Sequence, residues 1–127
     1  MNGVAAVMGF ALIEFFALGF LVGWARGKYK VAAPATTGDP IFERYFRVHQ
    51  NTLESLIVFI PGLWLFATYM NTPIAIALGV IFIAARVIYA VGYIKAPEKR
   101  EVGASLTFLV NAALVLGGLV GLARHAL

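Results

Sequence analysis

Four long apolar runs, at residues 3–24, 53–70, 74–93 and 102–123, alternate with short polar connectors. Each run is close to the ~20 residues that an α-helix needs to cross ~30 Å of hydrocarbon. Backbone N–H and C=O groups cannot stay unpaired in lipid, so runs of this kind must be helical, and four of them bury their remaining polar groups by packing together. The expected fold is all-α: an integral membrane four-helix bundle, one transmembrane domain over residues 1–127, with helices about 3–27, 41–70, 73–95 and 97–124.

The connectors carry the stop and start signals. Residues 31–40 hold Pro34, Gly38 and Pro40 among small polar residues, a composition that favours turns over helix. Asp39 and Pro40 followed by Glu43 form a helix start, with acidic groups where the N-terminal dipole favours them. Pro73 opens the third helix in the same way, and Pro97 opens the fourth, whose first turns hold Glu98, Lys99, Arg100 and Glu101. The first apolar run has no basic leader, carries Glu14 midway and exceeds a signal-peptide core, so it is expected to be retained.

Composition narrows the function classes. The chain is 61% hydrophobic with a mean hydropathy of +0.88, well outside the soluble range. Its lack of cysteine removes disulfides and thiolate metal ligands, and His49 and His125 are the sole histidines, so no metal site is expected. Arg26, Lys28, Lys30, Arg44 and Arg47 flank the first connector and Lys95, Lys99 and Arg100 the third, whereas Met70-Asn71-Thr72-Pro73 carries no charge. That asymmetry places both basic connectors in the cytoplasm and the chain ends opposite. The net charge of +4 is divided among helix ends, which speaks for topology and against nucleic-acid binding.

Three polar clusters interrupt the apolar pattern. Arg44, Arg47, Asn51 and Glu54 are spaced to share one face of the second helix. Arginine forks, an amide and a carboxylate together suit a small zwitterion; alternatively, the arginines are topology anchors reaching for head groups and Glu54 pairs with a neighbouring helix. Arg86, Tyr89 and Tyr93 share a face of the third helix. A guanidinium inside an apolar run needs a carboxylate, and Glu54 at comparable depth is the expected structural partner of Arg86. Arg100, beside the amides of a helix start, makes a positive site of the kind that holds a thiolate. Glu14 stands apart, either as a proton or cation site or as a neutral acid buried among helices. Gly117 and Gly121 form a small-xxx-small pair suited to close helix packing.

Arg26, the Pro-Ala-Thr-Thr-Gly-Asp-Pro loop, Phe-Glu-Arg-x-x-Arg-x-x-x-Asn-x-x-Glu, Ala85-Arg86-x-x-Tyr89-x-x-Gly92-Tyr93 and Arg100 follow one another without gaps. In this the chain resembles the membrane-associated proteins in eicosanoid and glutathione metabolism, the MAPEG family, in its microsomal glutathione transferase and leukotriene C synthase branch. The resemblance implies a homotrimer with glutathione as co-substrate, bound between subunits near the cytoplasmic face. It implies glutathione contacts at Arg26, Arg47, Asn51, Glu54, Tyr89 and Tyr93, and at His49, which replaces another polar side chain. Arg100 would stabilise the thiolate. Ser55 replaces a ligand-contacting tyrosine and Gly27 a second arginine, departures that weigh against a specialised eicosanoid substrate.

The implied activity is a membrane-bound glutathione S-transferase, with peroxidase activity as a further option, acting on lipophilic electrophiles or lipids from the bilayer. The rival readings are a non-enzymatic lipid-binding scaffold of the same family and a small four-helix multidrug transporter using Glu14. The expected location is a bacterial inner membrane, multi-pass, with the site toward the cytoplasm.

Overall fold

Each apolar run is a helix in the computed structural model, which describes residues 1–127. The order is α1 (Asn2–Tyr29), α2 (Pro40–Tyr69), α3 (Thr72–Lys95), a 3-10 turn (Pro97–Arg100) and α4 (Glu101–Ala126). All four helices are long and apolar enough to cross a membrane. The expected fourth helix is divided, because Ala96 before the proline is extended (φ −160°) and the chain re-enters helix through a tight turn.

Local chemistry explains the boundaries. Lys30 ends α1 in the left-handed region, φ 57°, with its N–H bonded to the Arg26 carbonyl. The Asp39 carboxylate accepts from the amides of Ile41 and Phe42, both at 2.9 Å, while the Gly38 amide donates to Glu43 Oε2 at 3.3 Å. The start of α2 thus satisfies amides that a helix leaves unpaired. Asn71 does the same for α3, its Oδ1 accepting from the Ile74 amide at 2.8 Å.

The helices pack around α2, which touches α1, α3 and α4. The core joins Val4, Val7 and Ala11 to Phe59, Leu63, Phe82 and Leu114. The Phe59 and Phe82 rings stack at 3.8 Å between centroids. On α4 the buried stripe is Gly103, Thr107, Val110, Leu114, Gly118 and Gly121, repeating every three or four residues. Close approach needs Gly103, where an added Cβ would stand 2.5 Å from the Tyr89 Cα. The pair expected to pack tightly does so: Gly117 faces Phe66 and Gly121 faces the Tyr69 carbonyl.

The polarity of the bundle is reversed relative to a water-soluble one. Phe16 and Phe20 are 70% and 79% exposed, whereas Arg86 is 1% exposed. An apolar exterior around a polar seam suits a hydrocarbon surrounding.

Candidate functional site

Near the ends of α2 and α3 that flank the basic connectors, three elements converge. Arg47, Gln50, Asn51 and Glu54 of α2, Tyr89 and Tyr93 of α3, and Arg100 of the 3-10 turn line a cavity of ≈ 380 Å³. Six of these seven residues are ones that the sequence singles out. Gln50 was missed, although its place three residues after Arg47 and four before Glu54 puts it on the same helix face. The wall combines two guanidinium groups, one carboxylate, two amides and two phenols. Such a set can hold a ligand that carries both charges.

The turn that presents Arg100 sits tightly on α3. Gly92 allows this, since a Cβ there would lie 2.5 Å from the Lys99 carbonyl oxygen. Arg100 Nη1 donates to the Pro97 carbonyl at 3.1 Å, and its Cζ lies 5.8 Å from the Tyr93 ring centroid. Arg44 also takes part in the frame, donating to the carbonyls of Ile94 and Lys95 at 3.0 and 3.2 Å. It closes the C-terminal end of α3, a task beyond that of a membrane anchor.

The expected Arg86–Glu54 pair does not form. Arg86 Nη2 donates to Asn51 Oδ1 at 2.8 Å and to Thr52 Oγ1 at 2.9 Å, and Nη1 donates to Thr107 Oγ1 at 3.3 Å. Antiparallel packing sets Arg86 level with Asn51 and Thr52, while Glu54 is exposed in the cavity. The Arg86 guanidinium carbon also lies 4.2 Å from the Tyr89 ring centroid.

Two expected glutathione contacts lie outside this cavity. His49 is two residues from Arg47, roughly 200° around the helix, and so faces α1. Its ring stacks on Phe15 at 4.4 Å, and it lines a separate hollow of ≈ 530 Å³ with Phe16, Gly19, Phe20, Gly23 and Trp24. Arg26 is held by the first connector, donating to the Ala35 carbonyl at 2.7 Å with its Cζ 4.9 Å from the Phe42 ring centroid. Neither residue joins the Arg47 cavity within one chain.

A second hollow lies about one turn further toward the middle of the bundle. Ser55, Arg86 and Ala104, each about one turn on from Asn51, Tyr89 and Arg100, begin a groove of ≈ 500 Å³. Val58, Phe108, Ala112, Val115 and Leu116 make its walls apolar. A molecule with a polar reactive end and an apolar body matches this sequence of surfaces.

A model of the MAPEG family matches residues 4–120. The chain belongs to the MAPEG family. It is 44% identical over 114 residues to microsomal glutathione S-transferase 2 of Homo sapiens, covering 90% of this chain and 76% of that protein. It is 47% identical over 118 residues to an uncharacterized protein of Synechocystis, covering 93% and 86%. It is 32% identical over 121 residues to leukotriene C4 synthase of Bos taurus, covering 95% and 76%. Membership of this family, together with four helices of spanning length, makes the chain an integral multi-pass membrane protein.

Proposed function

We propose that this MAPEG protein is a membrane-bound glutathione S-transferase that conjugates glutathione to lipophilic electrophiles drawn from the bilayer. The observation that carries the reading is the cavity of Arg47, Asn51, Glu54, Tyr89, Tyr93 and Arg100, with an apolar groove about one helical turn away. The 44% identity to microsomal glutathione S-transferase 2 supports it. Glu54 would receive the peptide's ammonium group, Arg47 a carboxylate, and Asn51 and the two tyrosines its amides. Arg100 would stand at the sulfur.

The chemistry asked of the protein is small. The thiol loses its proton to solvent, and the Arg100 guanidinium stabilises the sulfur anion, the nucleophilic form. Sulfur then forms a bond to the electrophilic carbon in the groove, and the leaving group departs with its electron pair. With a hydroperoxide instead, sulfur attacks the terminal oxygen, and a second glutathione completes the reduction to alcohol, water and glutathione disulfide.

His49 lies outside its own chain's cavity, beside the exposed Phe16, Phe20 and Trp24 of α1, and Arg26 of α1 lies outside that cavity as well. In a homotrimer this face would meet the cavity of a neighbouring subunit and supply the two missing contacts. In this reading the site faces the cytoplasm, which the excess of Lys and Arg in its flanking connectors supports, and the membrane is a bacterial inner membrane.

The test uses purified protein in detergent with glutathione and a chlorodinitrobenzene. The wild-type protein is expected to show an ultraviolet thiolate difference band and turnover. Arg100→Leu is expected to lose the band and about a hundredfold or more in kcat, with glutathione binding still measurable by calorimetry. Unchanged turnover in that variant would sink the assignment. Lipid binding without a band in the wild type would favour a non-enzymatic scaffold, for which the ≈ 500 Å³ groove alone is sufficient.

A further inference from the structure

Two buried polar atoms that no protein group satisfies belong to residues lining the same groove. The Arg86 Nε–H has no acceptor and the Asn111 Oδ1 no donor. Both side chains line the ≈ 500 Å³ groove, beside the apolar Val58, Phe108, Val115 and Leu116. Arg86 is almost wholly buried, and a donor left unpaired at that depth is costly, as is the unpaired acceptor. The Asn111 Nδ2 bond to the Ser55 carbonyl, at 3.3 Å, is too long to lock the amide, so its oxygen is free to turn toward the groove.

The polar neighbours are already engaged. Thr107 Oγ1 donates to the Gly103 carbonyl and accepts from Arg86, and the Ser55 hydroxyl donates to the Asn51 carbonyl. Ser55 and Asn111 stand one turn beyond Thr52 and Thr107, the hydroxyls that Arg86 meets on α2 and α4. At 1.5 Å per residue, the amide therefore lies roughly 5–6 Å further along the bundle than the guanidinium. Two hydrogen bonds that share one oxygen span roughly the same 5–6 Å. A hydroxyl can accept from Arg86 and donate to Asn111, whereas a carboxylate has no proton for the amide and an ammonium no lone pair for the guanidinium.

We infer that the groove selects lipophilic electrophiles carrying a hydroxyl on their apolar body, and that Arg86 and Asn111 are the residues that recognise it. Thr107 and Asn111 follow Arg100 by seven and eleven residues, roughly 10 and 16 Å along the helix. The hydroxyl is thus remote from the sulfur and serves as a handle, not as the reacting group. Phe108 and Leu116 are exposed on the outside of the bundle, so the occupant enters from the hydrocarbon. This inference rests on the transferase reading and names the substrate class of its groove.

The test uses purified protein in detergent, glutathione and matched pairs of long-chain α,β-unsaturated ketones. One member of each pair carries a hydroxyl at a set distance from the conjugated carbon, and the other has hydrogen there. Sulfur adds to the conjugated carbon, and solvent supplies the proton to the carbon beside the carbonyl. The wild-type protein is expected to favour the hydroxylated member about tenfold or more in kcat/KM once the hydroxyl stands roughly 10 Å or more from the reacting carbon. Asn111→Leu is expected to melt like wild type or above it and to lose most of that preference.

A wild-type protein that shows no preference at any chain length overturns the inference, as does a preference that Asn111→Leu keeps in full. In either case turnover of chlorodinitrobenzene leaves the transferase reading intact. Absence of turnover with every electrophile overturns the transferase reading instead. Calorimetry with the saturated ketone pairs, which cannot react, then decides the recognition: tighter binding of the hydroxylated member that is lost in Asn111→Leu supports it, and equal binding overturns it.

Discussion

Gly103→Ala isolates the contact that holds α4 against α3 beside the candidate site. A methyl group at position 103 would stand 2.5 Å from both the Cα and the N of Tyr89 and 2.6 Å from its Cβ. Ordinary carbon contacts begin near 3.4 Å, so the two helices must separate locally by about 1 Å. Overpacking costs typically 1–3 kcal/mol, and the upper end applies where the obstructing atoms are backbone and cannot rotate away. Replacing glycine by alanine within a helix recovers about 1 kcal/mol of propensity. The clash therefore wins, by about 2 kcal/mol. Gly9→Ala is the control, since nothing lies within 4 Å of its added Cβ and only the propensity gain applies. Thermal melting in detergent, followed by tryptophan fluorescence, should give a lower midpoint for Gly103→Ala and an equal or higher one for Gly9→Ala. Because Tyr89 lines the cavity and Arg100 lies one turn before Gly103, KM for glutathione should rise in the first variant alone. A Gly103→Ala protein that melts like wild type with unchanged KM would refute this account of the α3–α4 contact.

Two other substitutions test the frame of the site. Asp39→Ala removes the acceptor for the Ile41 and Phe42 amides and should destabilise by about 1 kcal/mol, read as a lower melting midpoint; an unchanged midpoint would show that the cap contributes nothing. Asn111→Leu replaces a side chain whose Oδ1 is buried without a partner and whose Nδ2 makes only a long 3.3 Å bond to the Ser55 carbonyl. It should be neutral or stabilising, and a loss of more than about 2 kcal/mol would show that the amide has a partner yet unaccounted for.

Much of this arrangement is legible in the chain because local rules reach that far. Asp39-Pro40-x-x-Glu43 announces the start of α2, and its carboxylates do bind the amides there. Helical spacing of three and four puts Arg47, Asn51 and Glu54 on one face and Arg86, Tyr89 and Tyr93 on another. Gln50 was readable from the same spacing and was passed over. Where prediction went astray, the missing quantity was the rotation and depth of one helix relative to another. Glu54 and Arg86 have opposite charges and comparable depth, yet register brings Arg86 to Asn51, Thr52 and Thr107 and leaves Glu54 in the cavity. His49 carries a polar side chain beside the stripe, yet its angle turns it toward Phe15.

From the amino-acid order alone came the all-α class, the number of spanning helices, the polar faces and the family resemblance. Hydropathy, run length and helical period are properties of one segment, and lipid allows few ways to satisfy its backbone. The partners of Arg86, the clamp made by Arg44, the place of Glu14 and the position of the apolar groove about one turn from the polar cavity were decided by the tertiary structure. Those depend on how closely helices approach, which contacts such as Gly103 on Tyr89 and Phe59 on Phe82 set between residues distant in the chain. A periodic pattern gives each side chain an angle about its own helix axis, but only packing gives it a neighbour.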